Sequence, residues 1–156
     1  MPPHSQTSTG LQIDHATHTI RFVRSFDAPL ALVFEAWTKP EHLRCWWDAA
    51  GEPLAVCEID LRPGGAFRFV PRTRDHMPFT GVYLEIDPPH RLVFEALNST
   101  GRVLLATTGG KTSMTVEIAC GSAEQLAHFL EVGVDAGTSQ TLDNLVAYIA
   151  RQGVTA

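Results

Sequence analysis

The chain has 156 residues, 44% of them hydrophobic and 19% charged, with a formal net charge of -5. That length and composition predict one globular domain with a single core and exclude a disordered or collagen-like chain. No apolar run approaches the about 20 residues of a membrane-spanning helix, and beyond Arg72 and Arg74 the cations form no cluster that could track phosphates, so neither a membrane nor a nucleic acid is an expected partner.

Residues 1–17 are rich in Ser, Thr, Pro and His and show no periodicity. They read as a disordered N-terminal arm, followed by a single domain over residues 18–152. The arm lacks the basic and apolar regions of a secretory signal, which makes the cytoplasm the expected location. From His18 the pattern alternates. Ile20, Phe22, Arg24 and Phe26 share one face of a predicted strand.

Pro29 suits the first position of a helix, and Leu30, Val33, Phe34 and Trp37 then form one apolar stripe. Thr38-Lys-Pro-Glu41 has the form of a capping box opening a second short helix, on which Leu43, Trp46 and Trp47 share a face. All three tryptophans of the chain fall in these two helices. A hairpin follows, with Ala55, Cys57, Ile59 and Leu61 on one strand, a turn at Pro63-Gly64-Gly65, and Phe67 and Phe69 on the returning strand. After the polar stretch Arg72–His76, further strands are predicted over Phe79–Ile86, Arg91–Leu97, Arg102–Thr107 and Thr112–Ala119. Ser122-Ala-Glu-Gln125 is a second capping box. It opens a short helix to about Glu131, and a longer helix runs from Val134 to Arg151. Gly133 and Gly137 interrupt that pattern, a mid-helix glycine costing about 1 kcal/mol relative to alanine. This order predicts an α+β fold: a curved antiparallel sheet of about six to seven strands, two short helices after the first strand, and a long C-terminal helix as the element able to cover the apolar face.

The same segments carry a family resemblance. Phe26-Asp-Ala-Pro29, Val33-Phe-Glu-Ala-Trp-Thr38, Pro40-Glu41, Trp46-Trp47, Asp60-Leu-Arg-Pro-Gly-Gly65, Phe79-Thr-Gly81, Tyr83-Leu-Glu-Ile-Asp-Pro-Pro89, Arg91-Leu92 and Leu142-Asp-Asn-Leu145 occur in order over residues 18–151. With them the chain resembles the SRPBCC superfamily of START-like domains, in the branch called activator of heat-shock-protein-90 ATPase homologues. The resemblance implies a helix-grip fold whose sheet wraps the C-terminal helix and leaves a cavity for a small hydrophobic ligand. Two departures from the family pattern bear on that cavity. Gly137-Thr138 stands where relatives often carry Gly-Trp, leaving more room and adding a hydroxyl, and the loop at Arg72–Pro78 is short.

Given such a cavity, Trp37, Trp46, Phe69, Phe79, Phe94, Met114, Thr138 and Leu142 are candidates for its lining, although aromatic residues in this pattern equally suit a packed core. Trp47 reads as core. Arg72, Arg74, His76 or Thr138 could orient a polar end of the ligand. His76 beside Asp75 is the candidate base should the cavity be catalytic. His42 and Cys45, one helical turn apart, are two potential metal ligands without a third or fourth, so no metal site is predicted. Cys45, Cys57 and Cys120 are odd in number, distant from one another and outside any C-x-x-C, which suits reduced thiols. Glu58, Asp60, Glu85 and Glu95 alternate with apolar residues, as on a solvated sheet face. No nucleophile motif and no glycine-rich nucleotide loop is present, so no catalytic residue is assigned and no cofactor is expected. Binding of an apolar or aromatic molecule is the leading expectation. A hydrolase or cyclase acting in the same cavity and a chaperone-interaction module are the alternatives, and a monomer and a homodimer are both open.

Overall fold

The structure, a computed structural model, is described for residues 11–48, 52–72 and 78–153. Eight strands form in chain order: β1 (Leu11–Asp14), β2 (Thr19–Phe26), β3 (Leu54–Ile59), β4 (Ala66–Pro71), β5 (Phe79–Asp87), β6 (Arg91–Ala96), β7 (Ser99–Thr108) and β8 (Lys111–Ala119). They build one antiparallel sheet in the order β1-β2-β8-β7-β6-β5-β4-β3. Four helices complete the chain: α1 (Leu30–Thr38), α2 (Pro40–Trp46), α3 (Ala123–Glu131) and α4 (Val134–Gly153). After β2 the two short helices carry the chain to the far edge of the sheet. The strands then return by hairpins until β8 lies beside β2. This is the helix-grip architecture, with one more strand than the pattern predicts.

The additional strand is β1, inside the segment expected to be a disordered arm. It pairs with β2 through Leu11↔Phe22 and Ile13↔Ile20, and Leu11 and Ile13 pack against the core. The Asp14 carboxylate accepts the amides of Ala16 and Thr17 at 3.0 and 3.3 Å, which closes the turn. Those backbone hydrogen bonds hold its pKa below the ordinary value. Two apolar residues make too short an alternation to register as a strand. The ladder to β2 supplies what periodicity cannot. Residues 1–10 lie outside the described part of the chain.

Several ends also differ from expectation. Pro29 is the N-cap of α1 and not its first residue; its carbonyl accepts the amide of Val33. The Thr38 hydroxyl donates to the Phe34 carbonyl at 2.9 Å instead of capping α2, so Lys39 is the cap and Pro40 opens that helix. Half of the box at α3 forms: the Ser122 hydroxyl accepts the Gln125 amide at 3.1 Å, while the Gln125 side-chain oxygen accepts the amide of Gly121, one residue before the cap. The side-chain NH2 of Gln125 also donates to the Leu97 and Asn98 carbonyls at 2.9 and 3.2 Å, tying α3 to the turn between β6 and β7. That turn is Leu97-Asn98, both at positive φ (56° and 61°), between the paired residues Ala96 and Ser99. Asparagine tolerates that backbone and leucine rarely adopts it, so β7 starts at Ser99 and not at Arg102.

The long helix lies against the sheet and is pinned at both flanks. On one side the Arg24 guanidinium of β2 donates to the Asp143 carboxylate at 3.1 Å and to the Ser139 hydroxyl at 2.8 Å. On the other, Thr141 and Asn144 donate to the carbonyls of Trp47 and Asp48 at 3.1 and 3.0 Å. The core under it includes Ile20, Phe22, Leu43, Trp46, Met114, Leu145 and Ile149.

Candidate functional site

Between the sheet and the first half of α4 the packing stops. A cavity of about 410 Å³ opens there, where a protein interior is ordinarily close-packed. One wall is α4, through Val134, Gly137, Thr138, Thr141 and Leu142. Their spacing places them on one face of the helix. The floor is Phe94 and Ala96 of β6, Gly101 of β7, and Val116 and Ile118 of β8; Trp37, Trp47 and Phe79 close one end. Leu97 both lines the cavity and is 60% exposed, so the β6–β7 turn forms one edge of the opening.

Two glycines set its width. Gly101 pairs across the sheet with Phe94, and a Cβ on Gly101 would stand 2.5 Å from the Phe94 ring. The absent side chain therefore lets that ring lie flat on the floor. On the opposite wall, a Cβ on Gly137 would meet nothing within 4 Å. Close approach of helix to sheet does not explain Gly137; the space beside it is open.

Of the expected lining, Trp37, Phe79, Phe94, Thr138 and Leu142 border the cavity. Trp46, Phe69 and Met114 do not. Trp46 is 1% exposed and its indole N–H donates to the Ala36 carbonyl at 3.0 Å, which turns the ring into the core. Met114 is fully buried, with its sulfur accepting the Trp37 indole N–H at 3.4 Å. Phe69 stacks with Phe67 at 5.0 Å and borders only a void of about 10 Å³, hardly room for one water. Trp47, expected to be core, lines the cavity instead. The reversal follows from the helix end: α2 stops at Trp46, and the Thr141 hydroxyl bonds to the carbonyl of Trp47. Trp47 then meets Phe79 and Phe69 at ring-centroid distances of 5.2 and 5.0 Å. His76, Asp75 and Arg74 lie outside the described residues. Gly101 and Thr141 lie outside the expected lining; their signals in the sequence are a glycine opposite a phenylalanine on paired strands and small residues repeating on one helix face.

The wall carries few polar groups. Ser99 and Thr141 donate their hydroxyl protons to the carbonyls of Ala96 and Trp47 at 2.8 and 3.1 Å. Thr138 makes no side-chain hydrogen bond among the described residues. Glu117 is the one charged residue among the described residues of the lining. Strand alternation sends its side chain to the opposite face from Val116 and Ile118. There its carboxylate, 17% exposed, meets Arg21 at 2.9 Å and Arg102 at 3.6 Å, its cross-strand neighbours.

Away from the cavity, His42 meets the Tyr148 hydroxyl at 2.6 Å where α2 packs on α4. Among the described residues no group of three or more His, Cys, Asp and Glu is placed to hold a metal ion. All three thiols are free, and burial pushes that of Cys57 up to about 11, so it stays protonated at neutral pH. No described helix is long and apolar enough to cross a membrane.

Comparison with known proteins matches this geometry. A family model described as Activator of Hsp90 ATPase homolog 1-like protein matches residues 27–150. Among solved structures, protein NE0264 from Nitrosomonas europaea superposes with a TM-score of 0.79 at 24% identity, covering 90% of this chain and 98% of that one. Protein Ms6760 from Mycobacterium smegmatis gives 0.76 at 23% identity, over 91% and 97%. CalU16 from Micromonospora echinospora gives 0.64 at 27% identity, over 86% and 77%. No curated protein matches the chain.

Proposed function

The chain belongs to the Activator of Hsp90 ATPase homolog 1-like protein family, and from that premise we propose that it binds one apolar, largely aromatic small molecule between the sheet and α4. The observation that carries this reading is the cavity of about 410 Å³, a size within the range of small-molecule sites. It opens beside the helix face that presents Gly137, Thr138 and Thr141. Unfilled apolar space forfeits dispersion contacts on every wall. A ligand restores those contacts and removes the aromatic walls from water, at about 25 cal/mol per Å² before ordering costs. The three unpaired cysteines favour a reducing compartment such as the cytoplasm.

The test fills the space. Thr138→Trp places an indole in the open space that Thr138 borders. The variant is expected to keep the wild-type melting temperature within about 2 °C, which for a chain of this size is no more than about 1 kcal/mol. It should lose the ligands that native mass spectrometry and a thermal-shift screen of hydrophobic compounds find on the wild type. A ligand that stabilises both proteins equally binds elsewhere and removes this reading.

A further inference from the structure

Resting on that reading, we propose that the cavity selects an uncharged aromatic compound carrying a hydrogen-bond donor, and discriminates against anions of the same shape. No Lys, Arg or His borders the cavity among the described residues, so a sulfonate, phosphate or carboxylate entering it meets no counter-charge among them. The one acidic residue at the wall, Glu117, holds its carboxylate between Arg21 and Arg102 on the other face of the sheet. A cation inside gains no partner either. Burying an unpaired charge is strongly unfavourable, whereas burying a neutral ring is not.

The hydroxyls supply the second part. A serine or threonine hydroxyl has one proton and two lone pairs. Ser99 and Thr141 have committed their protons to the carbonyls of Ala96 and Trp47. Both oxygens remain able to accept. They stand on different walls, β7 and α4, with Thr138 one helical turn from Thr141 and free to rotate. A ligand with an N–H or O–H group meets an acceptor on either wall, while a ligand with none leaves those lone pairs without a partner.

Three dyes on one ring skeleton separate these statements. N-phenyl-1-naphthylamine is neutral and has an N–H. Its 8-sulfonate adds a negative charge, and its N-methyl derivative removes the donor. Titrated by fluorescence against the whole chain, the neutral amine is expected to bind at least tenfold more tightly than the sulfonate and several-fold more tightly than the N-methyl compound. Equal or tighter binding of the sulfonate overturns the charge selectivity. Equal binding of the N-methyl compound overturns the requirement for a donor. Either result leaves the cavity as a ligand site. Failure of all three dyes to bind, or binding that persists in Thr138→Trp, instead strikes the reading on which the inference rests.

Discussion

The two halves of α4 present opposite inward faces to the same sheet. Toward the C-terminus, Leu145, Tyr148 and Ile149 are all buried, and the Tyr148 hydroxyl reaches His42 on α2. Toward the N-terminus, Val134, Gly137, Thr138 and Thr141 face open space. One half has the large side chains that exclude solvent and stabilise the fold. The other has small side chains that leave volume unfilled, at some expense in stability. The proposed binding is thereby separated from stability along one helix, so substitutions in one half should alter folding and substitutions in the other should alter affinity.

The largest effect is expected at the filled half. Leu145 is 0% exposed, and Leu145→Ala should destabilise the protein by about 3 kcal/mol, the usual cost of such a core cavity. Urea denaturation measures it as a lower midpoint at unchanged slope. Dye affinity of the folded fraction should stay within twofold. The counterpart, Thr138→Ala, should leave stability within about 0.5 kcal/mol, as at sites without packing partners. Equal losses at both positions would mean that the halves are packed alike.

The adjacent tryptophans repeat the contrast at closer range. Trp46→Phe removes a hydrogen bond to the Ala36 carbonyl and leaves a hole, at a cost of about 2 kcal/mol. Trp47→Phe changes a cavity wall and should cost less than about 1 kcal/mol, yet shift dye affinity and emission, because the ring lines the cavity. A thermal melt and a titration of each variant decide the order. Reversed sensitivities would restore the assignment that the sequence alone favours.

That assignment shows where the sequence stops being informative. The strands from β2 onward, the proline that opens α2 and the long helix are legible because alternation and helical periodicity are local signals. The match of ordered motifs along the chain identified the architecture, and five of the residues expected at its cavity, Trp37, Phe79, Phe94, Thr138 and Leu142, border the open space in the structure. Local signals fail for β1, where two apolar residues depend on β2 for their order. They fail for Trp46 and Trp47, whose roles depend on where α2 ends and on a hydrogen bond from Thr141, 94 positions away. They fail at Leu97-Asn98, since a leucine at positive φ is held by Gln125 from a distant helix. In each case the deciding contact is remote in sequence.

A smaller effect is expected from the floor of the cavity. Gly101→Ala places a methyl 2.5 Å from the Phe94 ring, and the ring must lift off the sheet. Overpacking of this kind costs about 1 kcal/mol. The displaced ring enters the cavity, so dye affinity should fall at least fivefold. Pairing the substitution with Phe94→Leu relieves the clash and should recover part of the binding. A loss of stability with unchanged affinity would show that the ring moves away from the cavity instead.

The smallest effect carries the opposite sign, and it bears most directly on the hollow half. Gly137 lies inside α4, where glycine is the poorest helix former apart from proline. A Cβ there meets nothing within 4 Å, so Gly137→Ala gains helix propensity without any clash to offset it. Stability should rise by about 0.8 kcal/mol and the melting temperature by about 2 °C. Gly133→Ala serves as the control. Gly133 separates α3 from α4 at a φ of 83°, a conformation in which alanine is strained, so that variant should melt lower. Dye affinity should change less than threefold in Gly137→Ala, since a single methyl takes little of the cavity. A fall in the melting temperature of Gly137→Ala would mean that the helix lies closer to the sheet at this turn, and that both halves of α4 are packed.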